Sequence, residues 1–479
     1  MRFAPILALP LSLVASIAAA EATPEGAAAL TATLQTYLGA TEGVVTVAPE
    51  GEAYAVTLDF APLIAKAPAE VQSSVTPIEF SLTDNGDGTW EVEQDQALDL
   101  TMTVPGQADI SVKIGNLSGT GTFDEALGAF STSTTRLTDI VVTEKITDPQ
   151  GMATDVSYTV ASASFEGTSE AGETGVDSQS TFAAEGLAES FQLPGMDGAP
   201  MQLKMTAETT TGNASITGLR PDALYKLVAF FVANPDEAAI ATQQASLKTI
   251  LTDGLPLFEN MLSTSTLNMI AVDSPMGAFG LADMAVTVEA NGVVTDGLFR
   301  EAFTLNGLSL PAGLVPDWAA QLVPTSLSLD FAASRFNLAA PAAMLLQTLD
   351  LANPQPNTPE QDQALLAALL PDGVVDITLA PGSITAPLYG LTYQANFSAG
   401  PATTVPQGKA TITATGITAV KQALTAAPED IGMQVAPMLG MAEGMAKPGE
   451  NGTLVWDLET TPEGGLLVNG VDMMQMGGN

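Results

Sequence analysis

Alternation of apolar and polar residues with a period of two, broken at short intervals by turn residues, governs the first part of this chain. "GVVTVAPEGEAYAVTLDF" and "PIEFSLTDNGDGTWEVEQDQALDLTMTV" set apolar side chains at alternate positions, with Gly, Asn, Asp or Pro between runs. Successive side chains of a strand point to opposite faces, so such a pattern prepares one face for a core and the other for water. The texture continues through "ADISVKIGNLSGTGTF", "STTRLTDIVVTEKITD" and "DVSYTVASASFEG". It predicts a mainly antiparallel β region over 21–207, with "EGTSEAGETGVDSQS" (166–180) as a loop or strand crossing.

Within that sheet, "SLTDNGDGTWEV" (81–92) raises the question of a calcium loop. An EF-type loop needs oxygen ligands at positions 1, 3 and 5, Gly at 6 and Glu at 12. Starting at Asp84 puts Gly86 and Gly88 at ligand positions, and aligning Gly88 to position 6 leaves Gln94 at position 12. Both registers fail. Asn85-Gly86 and Asp87-Gly88 instead supply the positive-φ residues of a hairpin tip between strands 78–83 and 89–94.

Helical signals are interleaved. Thr23 and Pro24 open "TPEGAAALTATLQTYL" as N-cap and first residue of a helix. From 208 onward strands and helices mix, which defines a second region, 208–479. "LRPDALYKLVAFFVANPDEAAIATQQASLKTILTDGLPLFENML" reads as two helices, the second capped by Asn234 with Pro235 behind it. Helices are further expected at 341–351, in a run ending near Leu370, and over 417–446, with strands between them and a closing hairpin in "GTLVWDLETTPEGGLLVNGVDMM". Segments 213–231, 409–427, 328–349 and, more loosely, 112–130 each look like a strand feeding a helix. The fold class expected is therefore α+β: a predominantly antiparallel sheet with helices packed against it, in a β-β-α arrangement that repeats.

The first twenty residues, "MRFAPILALPLSLVASIAAA", read as a signal peptide: Arg2, an apolar stretch Phe3–Val14, and Ala18-Ala19-Ala20 as cleavage site. The mature chain would begin at Glu21 and be soluble in the periplasm of a Gram-negative bacterium, or secreted, because no later apolar stretch is long enough to span a bilayer. The formal charge of −40 repels nucleic acid and anionic lipid surfaces, both of which need clustered Lys and Arg.

The chain has no Cys and no His. Ser-His-Asp and Cys-His nucleophiles, Cys/His zinc sites and His- or Cys-ligated haem are thereby excluded, and so is any disulfide. No serine stands three residues before a lysine, and no Gly-x4-Gly-Lys loop exists. A carboxylate pair for glycoside hydrolysis stays open, with no pair singled out among 54 acids. No catalytic residue, cofactor or metal site is expected. The remaining oddity is methionine. Ile431, Val435, Met438, Ala442 and Met445 fall on one helical stripe with Met441 beside it, and "MMQM" lies at 473–476. Thioether chains are flexible and polarizable, so Met438, Met441 and Met445 are the candidate apolar-ligand residues, with a pliable core as the plain alternative.

"GTLVWDLETTPEGGLLVNGVDM", preceded by "ITAVKQAL", resembles the C-terminal end of the YdgA-like proteins, an uncharacterised bacterial envelope family. In that family strand pairs alternate with Leu-rich helices and finish on a Gly-φ-φ-φ-Asn-Gly strand, matched here by Gly465–Gly470. The many-stranded exported sheet is similar in style to AsmA-like and LolA-like lipid-handling folds. The resemblance implies a non-enzymatic envelope protein. A mean hydropathy of +0.25 with only 14% charged residues adds a motive for an apolar or lipid-like ligand in a sheet-lined groove. A glycan hydrolase and an envelope scaffold without a small ligand are the alternatives.

Overall fold

A computed structural model describes residues 21–66, 71–147, 153–194, 200–353, 355–401, 405–461 and 463–473. The expected signal segment and Met474–Met476 lie outside the described residues. The chain forms two compact units, one of residues 1–261 with 343–356, the other of 262–342 with 357–479. Both are dominated by antiparallel sheet with helices, and no described helix is long and apolar enough to cross a membrane.

The first unit opens with α1 (Pro24–Leu38), β1 (Val45–Glu50), β2 (Ala53–Leu58), α2 (Ala61–Ile64), β3 (Gln72–Val75) and β4 (Ile78–Asp84). Six long strands follow: β5 (Thr89–Val104), β6 (Ala108–Asp124), β7 (Ala129–Thr147), β8 (Ala153–Ala171), β9 (Val176–Pro194) and β10 (Pro200–Leu219). Then come α3 (Pro221–Ala233), α4 (Glu237–Thr242) and α5 (Gln244–Gly254). The strands pair β1–β2–β4–β5–β6–β7–β8–β9–β10, while β3 takes over the half of β5 that β4 leaves free.

Thr23 caps α1 by accepting from the Gly26 amide, as its position predicts. Ala27, Leu30 and Leu34 form the buried stripe of that helix and pack on Val56, Leu82, Trp90 and Phe123. Leu30 and Leu34 are each 1% exposed, which contributes about 2 kcal/mol per side chain from burial. The 81–92 hairpin is a turn: the Gly86 amide donates to the Asp84 carboxylate, and the Thr89 amide and hydroxyl donate to that of Asp87. Both acids are thus engaged with the turn's own backbone.

A coordinated break crosses the long strands. Gly115, Asp139, Ala161 and Gly186 face one another on β6 to β9, with Asp139 at φ 53° and Gly186 at φ 66°. A Cβ on Gly186 would stand 2.9 Å from that of Ala161, and one on Gly115 2.8 Å from that of Asp139. Small residues are therefore required at this level. The break inverts the pleat, so residues three apart share a face: Leu137 with Ile140, Val160 with Ala163, and Ala184 with Leu187 all join one cluster.

Two expectations are corrected here. Residues 166–180 are not a loop or crossing but the ends of β8 and β9, joined by a tight turn in which Gly172 donates to the Gly175 carbonyl. Strands of this length carry polar residues on one whole face, and a run that is also Gly-rich mimics a loop. Asn234 does not cap the second helix; it ends α3, its amide donating to the Phe230 carbonyl, and Asp236 caps α4. The expected change of region at 207 falls inside β10.

The second unit contains β11 (Asn260–Ser274), which enters it from the first, then β12 (Gly277–Asn291), β13 (Gly297–Asn306), α6 (Asp317–Ala320) and β14 (Ser326–Phe336). α7 (Ala339–Thr348) carries the chain to the segment 343–356 assigned to the first unit. After it stand α8 (Pro359–Leu369), β15 (Val375–Thr385), β16 (Gly390–Ala399), β17 (Gln407–Thr415), α9 (Ile417–Leu424) and α10 (Glu429–Met445). The chain ends in β18 (Lys447–Pro448), β19 (Leu454–Thr460), β20 (Leu466–Val468) and β21 (Val471–Asp472). The pairing runs β12–β13–β14–β15–β16–β17–β19, with β18 and β20 on the far side of β19 and β21 on β20. Thr358 and Gln361 cap α8 reciprocally. Of the four segments expected to run strand into helix, β10–α3, β14–α7 and β17–α9 do so, whereas 112–130 turns from β6 into β7.

Asn469 fastens the end of this unit. Asn469-Gly470 is a two-residue turn with φ 51° and 83°, the left-handed geometry of a tight hairpin. Its side-chain amide donates to the carbonyls of Met445 (2.7 Å) and Val455 (3.0 Å), while its Oδ1 accepts from the Asp457 amide (2.9 Å). Trp456 Nε1 donates to the Ala442 carbonyl at 2.8 Å. Two carbonyls that the last turn of α10 leaves without helical partners are thereby satisfied.

Candidate functional site

The long strands of the first unit present two unlike faces. At the end where β5 leads into β6, β7 into β8 and β9 into β10, Met102, Ile110, Glu144, Val156, Phe191 and Leu203 are successive cross-strand neighbours on one face. The next row inward on that face holds Tyr158 beside Glu189, which is only 7% exposed. Burial raises the Glu189 carboxyl above its ordinary range, and burial followed by the Glu189 charge raises the Tyr158 phenol.

The other face at the same end is polar. Thr103, Asp109, Lys145, Asp155, Gln192 and Gln202 stand side by side on β5 to β10. One step inward, Thr101, Ser111, Thr143, Ser157 and Ser190 make a parallel row of hydroxyls. With strands about 4.8 Å apart, the first row extends about 24 Å across the sheet. These residues line a cavity of about 470 Å³, bordered also by Ile110, Glu144 and Val156 of the other-face row, a volume in the range of small-molecule sites.

Asp155 is the unsatisfied member of that lining. Its Oδ1 is buried and has no hydrogen-bond partner, although Lys145 is its cross-strand neighbour. A buried acceptor left unpaired costs about 1–3 kcal/mol, more when charged. The groove thus combines a field of donors and acceptors with one acceptor waiting for a donor. No group of three or more acidic side chains is placed to hold a metal ion among the described residues.

The methionines stand elsewhere, in the second unit. On α10 the half-buried line is Ile431, Val435, Leu439, Ala442 and Met445. Leu439, not Met438, occupies its middle. Met438 is 65% exposed and Met441 62%, at the rim of that line, and Met433 is 65% exposed. α10 lies against α9, where Lys421 and Glu443 form an ion pair. None of the three candidate methionines borders the polar groove.

The groove residues were not singled out from the sequence. "TMTVPGQADIS", "VVTEKITD" and "DVSYTV" show only polar residues alternating with apolar ones. What assembles Asp109, Lys145 and Asp155 is the register between strands, which the alternation leaves open. No family model, curated protein or solved structure matches this chain.

Proposed function

We propose that this protein is exported, loses its signal segment after Ala20, and acts in the periplasm of a Gram-negative envelope by binding rather than by catalysis. The observation that carries the binding role is the groove of about 470 Å³ on the face of β5–β10, lined across six strands and holding an unpaired carboxylate oxygen. The hydrolase alternative would use Asp109 and Asp155. They flank Lys145 two strand spacings apart, about 9.6 Å between backbones, which is wider than a retaining pair and at the upper limit of an inverting one. Affiliation with the YdgA-like proteins, with its repeated β-β-α arrangement, belongs to the same proposal; the Asn469-Gly470 clasp and three strand-to-helix connections support it.

The second reading is an apolar, lipid-like ligand. It is favoured by the exposure of Met433, Met438 and Met441 on α10, flexible thioethers that adapt to an acyl chain. Native mass spectrometry of protein purified from its own host tests both. A co-purifying polar molecule supports the groove, and a lipid lost on Met438→Ala with Met441→Ala supports the helix. A bare mass, with N-terminal sequencing that begins at Glu21, favours a scaffold.

A further inference from the structure

We infer that the polar groove on β5–β10 is a saccharide site, selective for neutral or amine-bearing sugars over acidic ones; this rests on the binding role proposed above. Three properties of the lining converge. The row from Thr103 to Gln202 alternates groups that accept, donate or do both, and the row beside it consists of hydroxyls from β5 to β9, followed by Lys204 on β10. A ligand without dense hydroxyls would bury those groups unpaired, which is costly and removes an acyl chain from consideration. A polyamine leaves the same hydroxyls facing methylene groups.

Charge sets the selectivity. Among the side chains on this face of the lining, Asp109 and Asp155 stand against the single Lys145, so the lining carries net negative charge and disfavours uronates, phosphates and nucleic acid. The unpaired Asp155 Oδ1 accepts from a sugar hydroxyl or ammonium, the one partner that the protein does not supply. The Lys145 ammonium and the amides of Gln192 and Gln202 then donate to ring and hydroxyl oxygens along the same row.

Calorimetric titration of the mature chain with cellohexaose, a β-1,4-glucosamine hexamer, a galacturonate hexamer and spermidine tests this. The first two are expected to bind and to compete, and the galacturonate hexamer to bind at least about tenfold more weakly. Asp155→Ala should weaken binding at least about tenfold, the value of one hydrogen bond to a charged group. Asp253→Ala, at an exposed acid of α5, should leave it unchanged. Gln192→Ala and the isosteric Asp155→Asn probe the same row if Asp155→Ala does not fold. Silence with both neutral and amino hexamers overturns the inference, as does equal binding by the Asp155 variants, by galacturonate, or by spermidine alone. A retained ligand in the native mass spectrum, with no hexamer binding, rejects the saccharide class while leaving the binding role standing.

Discussion

Replacing Asn469 by Ala should unfasten the end of the second unit. The side chain makes three hydrogen bonds, to the Met445 and Val455 carbonyls and from the Asp457 amide, at 2.7, 3.0 and 2.9 Å. At about 1 kcal/mol each they contribute about 3 kcal/mol. The backbone at φ 51° adds about 1 kcal/mol, because Ala tolerates the left-handed region less well than Asn. Asn469→Ala is therefore expected to cost about 4 kcal/mol, and Asn469→Gly, which relieves the backbone, about 3 kcal/mol. Hydrogen exchange is the suitable assay, since a chain of two units does not unfold in a single step. Amides of β19 and the last turn of α10 should exchange about three orders of magnitude faster in the Ala variant and about two in the Gly variant, while those of β6–β9 are unchanged. Exchange within threefold of the parent, or Gly more damaging than Ala, would refute the clasp.

Three further outcomes follow from the first unit. The folded-state pKa of Glu189 is raised by burial, so the penalty for its charge is absent below the unfolded value of about 4.3 and grows as pH rises toward the folded one. Glu189→Gln should raise the urea midpoint at pH 7 but not at pH 3.5; equal midpoints at pH 7 would show that the site is solvated. Gly186→Ala should cost about 2–3 kcal/mol, from its φ of 66° and a contact of 2.9 Å with Ala161, and Ala161→Gly should recover part of it; a neutral thermal shift would mean that the pleat break is not held by small residues. Asp87→Ala should leave the melting temperature indifferent to calcium, because that carboxylate already accepts from Thr89, and a calcium-dependent rise lost in the variant would reveal an ion site.

Local signals identified the elements wherever one residue's chemistry decides the outcome. Thr23-Pro24 starts a helix, Asn85-Gly86 turns a chain, and alternation makes sheet, each through short-range geometry written in the neighbouring residues. The end of a strand is less local. The Gly-rich 166–180 and the Asn-Pro at 234–235 carry turn and cap residues, yet tertiary pairing drew the first into strands and gave the second to the preceding helix. Phase was hidden as well: the inversion at Asp139 and Gly186 places residues three apart on one face, against the period of two by which strands are read. The helical stripe was legible on α10 to within one residue, Leu439 standing where Met438 was expected.

What the sequence by itself determined is the class of chemistry. Without Cys or His, it ruled out thiol and imidazole sites before any fold was known. What only the tertiary structure decided is which polar side chains meet. Asp109, Lys145 and Asp155 come from three successive strands and are brought side by side by the register between those strands. A shift of one strand by a single residue would send its polar set to the apolar face and dissolve the groove.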